Sequence, residues 1–300
     1  MSLALSRIPL INRLFGAPSP PESDQARAHR LVLTDNLTFE VVPLENVTSA
    51  AEALPPGARV AVTASPARGL AATQELTDRL MTEGFHVTPH IAARQVSDRT
   101  HAQALAGWFR SSGVSTMLLV GGDSEEPGQY SEVVEFLADF LGTDHRLTSI
   151  GVAAYPDGHP VVDHETMHQA LHAKQQILAE AKVTSYCTTQ MCFNPDTISD
   201  WLRAERAAGL TMPVHLGLAG VVDRTKLLTM GAQLGIGQSL SYLRKNRKAV
   251  TSMMTTVRYD PNNLLIPLSE DMVDLGIEDL HVFTFNQVSA TNQWREAQQG

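Results

Sequence analysis

Eight short β-rich segments alternate with helix-length segments along the chain, and this alternation constrains the fold more than any other feature. Most of the eight are continuously apolar, as expected of strands buried on both faces of a parallel sheet. Strands are predicted at Leu37–Val42, Arg59–Thr63, His86–Ile91, Thr116–Val120, Ser149–Ala154, Val183–Met191, Pro213–Leu218 and His281–Phe285. Between them, apolar residues recur at three- and four-residue spacing, which indicates amphipathic helices.

Eight strand–helix units with right-handed crossovers favour an α/β fold of the (β/α)8 TIM barrel type. A doubly wound open sheet is the competing architecture, but the count closes at eight and no Gly-x-Gly-x-x-Gly turn follows the first strand. The stretch 223–280 is too long for one crossover, so we expect an elaborated connection between strands seven and eight. Residues 1–30 are interpreted as an N-terminal extension and residues 31–300 as one catalytic barrel domain.

Local signals mark several helix boundaries. Asp98 is a candidate N-cap, and Asn194 is another, with Pro195 at the first helical position. Gly113 follows a helix where a left-handed residue is expected. Within the long connection, helices are predicted at Thr225–Leu234 and Ser269–Gly276.

Composition excludes several classes of protein. A formal net charge of -9 argues against a partner held by bulk positive charge, such as nucleic acid or an anionic membrane. Cys187 and Cys192 are the only cysteines, which excludes a disulfide framework and a cysteine-rich zinc site. We find no signal peptide and no apolar run of membrane-spanning length, so we expect a cytoplasmic protein.

Polar residues stand at the predicted carboxyl ends of the strands, where TIM barrels carry their active sites. Glu40 lies among Phe39, Val41 and Val42, so its carboxyl group is expected to lose water, which favours its protonated form. A Glu40 that points outward toward a helix is the alternative. After the fourth strand, Gly121-Gly122 allows close approach of a ligand and places Asp123 over the mouth, although an ordinary turn has the same residues.

Three further strand ends carry polar groups. The fifth runs into Tyr155 and His159 within a rigid, proline-containing loop that could stack on a planar cofactor. The sixth carries Gln190 and Phe193, and an amide that both donates and accepts hydrogen bonds suits the edge of a pterin or flavin. The eighth closes with Thr284-Phe285-Asn286-Gln287.

Histidines and basic residues form two other patterns. His164, His168 and His172 have helical i, i+4, i+8 spacing, which could bind a metal ion, but we interpret them as a solvated helix face and predict no metal site. The basic run 244–248 is interpreted in the same way. A locally positive mouth is nevertheless expected for an anionic ligand, from Arg68, Arg94, His159, Lys174 and Arg224, with the acidic excess spread over outer helices and loops.

Taken together, the strand-end residues resemble the methylenetetrahydrofolate reductase family in its FAD-dependent, single-domain bacterial form. The resemblance runs from about residue 35 to residue 290, and its most specific piece is Ala153-Ala154-Tyr155-Pro156 with His159-Pro160. The other pieces are Phe39-Glu40, Val62-Thr63, Pro89-His90-Ile91, Gly122-Asp123, Gln190 with Phe193, Gly217-Leu218 and Phe283-Thr284 with Asn286.

The resemblance implies a (β/α)8 oxidoreductase that passes a hydride from NAD(P)H through FAD to 5,10-methylenetetrahydrofolate, giving 5-methyltetrahydrofolate, or the reverse. Glu40 then falls on the general acid and Asp123 on the catalytic aspartate near flavin and pterin. The implied cofactor-binding residues are Thr63, His90, Gly122, Asp123, Ala154, Tyr155, His159 and Lys174, and the substrate-binding residues are Gln190, Phe193, Arg224 and Gln287. A tetrahydrofolate derivative and a nicotinamide dinucleotide are the implied partners, and homo-oligomerisation stays open.

The sequence departs from the family pattern at the rim of this site. The family's Arg before Gly-Asp is Gly121, the following loop is short, the aromatic residue after strand seven is Arg224, and the Arg after the strand-eight Asn is Gln287. Two alternatives therefore stand beside the main hypothesis. One is a flavin-independent reductase with direct hydride transfer from NADH to folate, and the other is a non-catalytic folate-binding homologue.

Overall fold

The computed structural model describes residues 22–124, 127–223, 225–227, 229 and 258–299. Eight parallel strands form a closed barrel in chain order, with helices between them in sequence. The strands are β1 Thr38–Val41, β2 Arg59–Val62, β3 His86–Ala92, β4 Thr116–Val120, β5 Ser149–Ala154, β6 Thr184–Thr189, β7 Val214–Ala219 and β8 Ile277–Phe283. The helices are α1 Asp24–Asp35, α2 Val47–Glu52, α3 Gly69–Thr82, α4 Arg99–Ser112, α5 Val133–Phe140, α6 His164–Glu180, α7 Pro195–Ala207, α8 Asn262–Leu268 and α9 Val288–Ala297.

Pairing of the first and last strands closes the sheet. In β1, Thr38 lies opposite His281 of β8 and Glu40 lies opposite Phe283, while the other edge of β1 pairs with β2. An open sheet would leave two unpaired edges. The predicted (β/α)8 barrel is therefore confirmed, and the doubly wound sheet is rejected.

The last strand begins earlier than its sequence suggested. β8 starts at Ile277, whereas the apolar segment was predicted from His281. The first half of β8 contains Glu278 and Asp279, so it does not form a continuous apolar run. The Asp279 side chain is buried and forms an ion pair with the Arg59 guanidinium of β2, which makes its burial tolerable.

Helix boundaries follow the expected capping residues. The Asp98 carboxylate accepts a hydrogen bond from the His101 backbone N–H at 2.8 Å at the start of α4. Asn194 caps α7 in the same manner, with Pro195 as its first residue. Gly113 has a φ of +75° directly after α4, the left-handed conformation in which glycine costs least.

The first helix joins the N-terminal part of the chain to the barrel. α1 is capped by the Ser23 hydroxyl, and His29 of α1 lies 3.4 Å from the carbonyl oxygen of Ile277 in β8. The domain boundary predicted after residue 30 falls inside this helix. Residues 1–21 lie outside the described part of the chain, so the extension itself stays a prediction.

Two residues of the connection between β7 and β8 meet close to the end of β7. Asp223 and Arg258 form an antiparallel bridge, and the described residues 225–227 are helical. The rest of the predicted helix Thr225–Leu234, the Met253-Met254 pair and the basic run 244–248 lie outside the described residues. The helix predicted at Ser269–Gly276 was wrong, because α8 lies just upstream and only 269–271 continue as a short 3-10 turn.

The apolar core lies between the barrel and its helices, whereas the barrel interior is polar. Alternate strand residues such as Phe39 and Val41 join a large apolar cluster with helix residues. The strand residue between them, Glu40, faces the other way, together with His90 and His281, and all three are buried. Interiors of such barrels are usually filled by branched apolar side chains, so these polar groups are a departure that needs a chemical reason. Among the helices described, none is long and apolar enough to cross a membrane.

Close packing at β7 gives a test of the barrel. A Cβ at Gly217 would clash with the carbonyl oxygen of Thr189 in β6, so Gly217→Ala must push two strands apart. We expect it to lower the free energy of unfolding by about 2–3 kcal/mol, as overpacking does. Gly142→Ala is the matched control, since its Cβ would meet only Asp139 O at 3.7 Å and should change stability by no more than about 0.5 kcal/mol. Chemical denaturation measures both, and equal effects would contradict the packing.

Candidate active site

A large cavity opens at the carboxyl ends of β4 and β5, beside α6. Its volume is about 1010 Å³. Six of the predicted cofactor-binding residues line it: Gly122, Asp123, Ala154, Tyr155, His159 and Lys174. The fold thus brings together residues that are up to 52 positions apart in the sequence, from Gly122 to Lys174.

Glycines after β4 shape one wall of this cavity. Gly122 has a φ of +88°, and a Cβ on it would lie 2.8 Å from the Cβ of Ala92, so the position requires glycine. A Cβ on Gly121 would have no atom within 4 Å, which leaves open space at the surface where a ligand could approach the backbone. Asp123 follows on this turn and is exposed.

Glu40 is buried inside the barrel and is held by histidines from two other strands. Its Oε2 lies 2.9 Å from Nε2 of His281 in β8 and 4.0 Å from Nε2 of His90 in β3. Burial, followed by the nearby charge of His281, lowers the pKa of His90 well below its usual value, so His90 is neutral. The inward orientation of Glu40 and its loss of water are as expected from its apolar neighbours, whereas the outward alternative is rejected.

The residues that follow β8 brace the end of β1. Phe285 and Asn286 have φ values of +49° and +62°, in the left-handed region, which is costly for Phe285 and better tolerated by Asn286. The Asn286 side chain accepts a hydrogen bond from the Val42 N–H at 2.8 Å and donates one to the Val42 carbonyl at 3.0 Å. The Thr284 hydroxyl donates to the carbonyl oxygen of Glu40 at 2.5 Å. Together they fix the backbone that carries the Glu40 carboxyl group.

Some buried polar atoms near the strand ends have no hydrogen-bond partner among the described residues. They include Thr63 Oγ1, His90 Nε2 and Thr188 Oγ1. Buried polar side chains are normally satisfied, so a water molecule or a ligand is expected to supply the missing partner at these positions. Thr63 and His90 were both predicted to contact a cofactor, although neither lines the large cavity.

Lys174 and Tyr155 have ionisation behaviour that is altered by burial. Burial lowers the pKa of Lys174 to about 8, and its ammonium group lies 3.3 Å from the carbonyl oxygen of Ala153. Burial also raises the pKa of Tyr155, with a smaller contribution from the negative charge of Asp123. The rings of Tyr155 and His159 meet edge to face with centroids 5.2 Å apart, which makes the aromatic wall that the sequence suggested.

The predicted substrate-binding residues do not share one surface. Gln190 is half-buried, and its side-chain oxygen accepts a hydrogen bond from the Met191 N–H at 2.8 Å, so its NH₂ group is the part not engaged by that bond. Phe193 packs in a separate apolar cluster, edge to face against Tyr259 with centroids 5.3 Å apart. Gln287 binds Asp223 through both side-chain atoms. Arg224 lies outside the described residues.

The histidine stripe of α6 is not a purely solvated face. His168 Nδ1 and His172 Nε2 lie 2.8 Å and 2.9 Å from the same oxygen, Oε2 of Glu205 in α7. Glu205 is buried and was missed by the sequence reasoning, because nothing in its local pattern indicates that α7 turns it toward α6. His164, one turn earlier, is exposed.

The expectation of a positive mouth was wrong for the cavity. Arg94, His159 and Lys174 line it as expected, whereas Arg68 does not. Among the described residues of the lining, acidic residues outnumber Lys and Arg residues by three. The acidic residues are Asp123, Glu132, Asp163, Glu165 and Glu205. The acidic excess is therefore not confined to the outer surface.

A second cavity of about 500 Å³ lies at the amino-terminal end of the barrel and is bounded by His281, Tyr186 and His215. The rings of Tyr186 and His215 stack with centroids 3.9 Å apart. Burial lowers the pKa of His215 to about 3, so this imidazole is neutral. Polar groups therefore continue below His281 along the barrel axis.

Comparison with known proteins identifies the family. The family model described as methylenetetrahydrofolate reductase matches residues 44–297. The chain belongs to the methylenetetrahydrofolate reductase family. Methylenetetrahydrofolate reductase 2 of Saccharomyces cerevisiae (strain ATCC 204508 / S288c) is 27% identical over 163 residues, which is 53% of this chain and 26% of that protein. The chain thus matches only about a quarter of that relative's length.

A solved structure has a similar fold. An uncharacterized protein from Clostridium thermocellum, described as binding two copies of 5-methyl-5,6,7,8-tetrahydrofolic acid, superposes with a TM-score of 0.59. The match covers 91% of this chain and 98% of that one, with 13% sequence identity. At this identity the likeness concerns the barrel fold.

Two departures from the family pattern replace an Arg near the site, at Gly121 and at Gln287. Gly121 stands where the family commonly has Arg, and the neighbouring Arg94, whose backbone N–H donates to the Gly121 carbonyl at 3.0 Å, also lines the cavity. Gln287, where the family has another Arg, is tied to Asp223 at the base of the long connection. Lys174 is thus one of only two Lys or Arg residues on the described lining, with Arg94.

The buried ammonium group of Lys174 has a measurable cost. Between about pH 8 and pH 10.4 the unfolded chain binds the proton that the folded chain has lost, so wild-type stability rises with pH across that window. Below pH 8 the folded protein carries the cost of burying the charge. We expect Lys174→Met to be about 2 kcal/mol more stable than wild type at pH 7, with the advantage shrinking toward pH 10. Urea unfolding at the two pH values measures this.

Lys182→Met is the control for that experiment, because Lys182 follows α6 and is exposed. Its stability difference from wild type should stay near zero at both pH values. A Lys174→Met protein that is less stable at pH 7, or an advantage that does not change with pH, would contradict the buried-ammonium interpretation.

Proposed function

We propose that this chain interconverts 5,10-methylenetetrahydrofolate and 5-methyltetrahydrofolate, using bound FAD and with NAD(P)H or NAD(P) as hydride partner. The observation that carries the proposal is the Glu40 carboxyl group, which is buried in the barrel interior and held by His281 beside a neutral His90. A barrel that needed only to be stable would fill this position with an apolar side chain. Membership of the family supports the same reaction.

The cavity beside β4 and β5 fits a flavin dinucleotide. Its volume of about 1010 Å³ is at the upper end for ligand pockets, as a large cofactor requires. Tyr155 with His159 would supply an aromatic wall, whereas the orphaned Thr63 Oγ1 and His90 Nε2 lie outside this cavity and would gain partners only from a flavin that extends beyond it. Lys174 would pair with the pyrophosphate. When bound, FAD supplies a two-electron carrier between the nicotinamide and the folate.

The proton chemistry depends on Glu40. With a proton on His281 Nε2, that nitrogen donates to Glu40 Oε2, so a protonated Glu40 carries its own proton on Oε1. Oε1 would deliver this proton to one of the two folate nitrogens that the methylene group bridges. The bond between that nitrogen and the methylene carbon then breaks, and the five-membered ring opens to an iminium cation on the other nitrogen. The Asp123 carboxylate, on the turn after β4, would stabilise this cation electrostatically. Gln190 would donate its NH₂ group to the pterin edge.

A flavin-independent reductase is the second candidate. The acidic excess on the cavity lining and the absence of an Arg at Gly121 both weaken the site for a pyrophosphate. Direct hydride transfer from NADH to folate would use the same Glu40 acid without the flavin.

One titration separates these candidates. Full-length protein mixed with FAD should bind about one equivalent, seen as flavin fluorescence quenching and a shift of the flavin absorbance bands. Lys174→Met should weaken this binding by roughly 10-fold or more, because it removes a charged hydrogen-bond donor, whereas Lys182→Met should not. A protein that turns over folate with NADH yet shows no flavin binding would support the flavin-independent candidate.

The acid role of Glu40 is tested by Glu40→Gln. We expect folate turnover to fall by at least about 100-fold, since general acids contribute that much or more. Reduction of bound flavin by NAD(P)H should stay near the wild-type rate, because that step needs no proton from Glu40. Stopped-flow measurement of the two half-reactions tests this. Equal losses in both would argue that Glu40 supports the structure and not the proton transfer.

A further inference from the structure

The His168–His172–Glu205 cluster has the composition and convergence of a metal site. The three residues come from two neighbouring helices, α6 and α7, and their ligand atoms all lie within 4.8 Å of one another. We propose that these three side chains bind one divalent cation of the zinc class. This inference stands independently of the proposed reaction.

Convergence on a single oxygen distinguishes this cluster from a simple structural hydrogen bond. His168 Nδ1 and His172 Nε2 both lie within 3 Å of Glu205 Oε2, at 2.8 Å and 2.9 Å. As ligands of a tetrahedral zinc ion at ~2.1 Å, the donor atoms would stand roughly 3.4 Å apart, so each of the two nitrogen–oxygen separations would lengthen by about half an ångström. Two imidazoles one helical turn apart with a carboxylate are also a donor set that suits zinc.

The burial of the three groups suits an ion that is reached from one side. The Glu205 side chain is 8% exposed, whereas the His168 and His172 side chains are 38% and 22% exposed. His168 and Glu205 line the large cavity. Three protein ligands leave at least one coordination position of zinc open. That position would be reached from the cavity, whose acidic excess the ion would reduce.

Metal binding requires a defined change of ring protons. Where each histidine now donates an N–H to Glu205, that proton must leave the coordinating nitrogen. A neutral His168 would then carry its proton on Nε2, and a neutral His172 on Nδ1. No other change of covalent chemistry is needed, and Glu205 binds as the carboxylate.

Metal binding by the tag-free, chelator-treated full-length protein tests the proposal. Isothermal titration with Zn²⁺ should show one ion per chain, and Co²⁺ should give visible absorption bands of a nitrogen- and oxygen-ligated site. His168→Ala and His172→Ala should each weaken Zn²⁺ binding by more than roughly 100-fold, the most that loss of an outer-shell partner usually costs. His164→Ala, on the same helix but outside the cluster, should bind as wild type does.

A second buried group, Glu40 with His90 and His281, also places three candidate ligands close together. Binding that survives His168→Ala and is lost in Glu40→Gln would assign the ion to that group and overturn the proposal. So would a wild-type protein that binds no more Zn²⁺ than the His168→Ala/His172→Ala double variant. If the variants do not fold, anomalous diffraction at the zinc edge from wild-type crystals decides the matter, since density between α6 and α7 is expected and its absence overturns the site.

Discussion

A carboxyl group in the middle of a β-barrel has to be held by other polar groups, and much of this interior is organised to hold Glu40. An isolated buried carboxylate would cost several kcal/mol, or would take up a proton. Here His281 contacts one carboxyl oxygen, and a neutral His90 stands close by without adding positive charge. The carboxyl group is therefore held in the barrel interior by a hydrogen-bonding histidine and not by an apolar wall.

Closure of the barrel creates this arrangement. Glu40 comes from the first strand and His281 from the last, so their contact exists only when β1 pairs with β8. The turn after β8 then holds the end of β1 through hydrogen bonds of Thr284 and Asn286. Phe285 and Asn286 in this turn have left-handed backbone conformations. The pairing of β1 with β8 thus contributes both to the stability of the barrel and to the geometry of the site. A local opening of this pair would displace the Glu40 carboxyl group before it unfolded the barrel.

The sequence was sufficient for the barrel, which follows from periodicity, whereas it left both an inward and an outward orientation of Glu40 open. The eight apolar segments alternate with amphipathic ones, and Glu40 stands between two residues whose alternation sends them to the apolar core. It was insufficient wherever a contact joins residues distant in the chain. The pairing of Glu40 with His281 needs the β1–β8 register, and the contact of Glu205 with His168 needs the rotation of α7 about its own axis. The first half of β8 was missed because Asp279 is buried through an ion pair that no local pattern records.

The antiparallel bridge between Asp223 and Arg258 brings together the two ends of the chain segment that lies between these residues. Because Asp223 and Arg258 meet at one bridge, and Gln287 holds Asp223 from the other side, the end of β7 is tied to the barrel whatever the length of chain between the two bridge residues. Loop-closure entropy grows only slowly with length, by about 0.6 kcal/mol for each doubling. Insertions and deletions in this segment are therefore almost free for the fold. Such a change of length would leave the contacts of Glu40 with His90 and His281 in the barrel interior undisturbed.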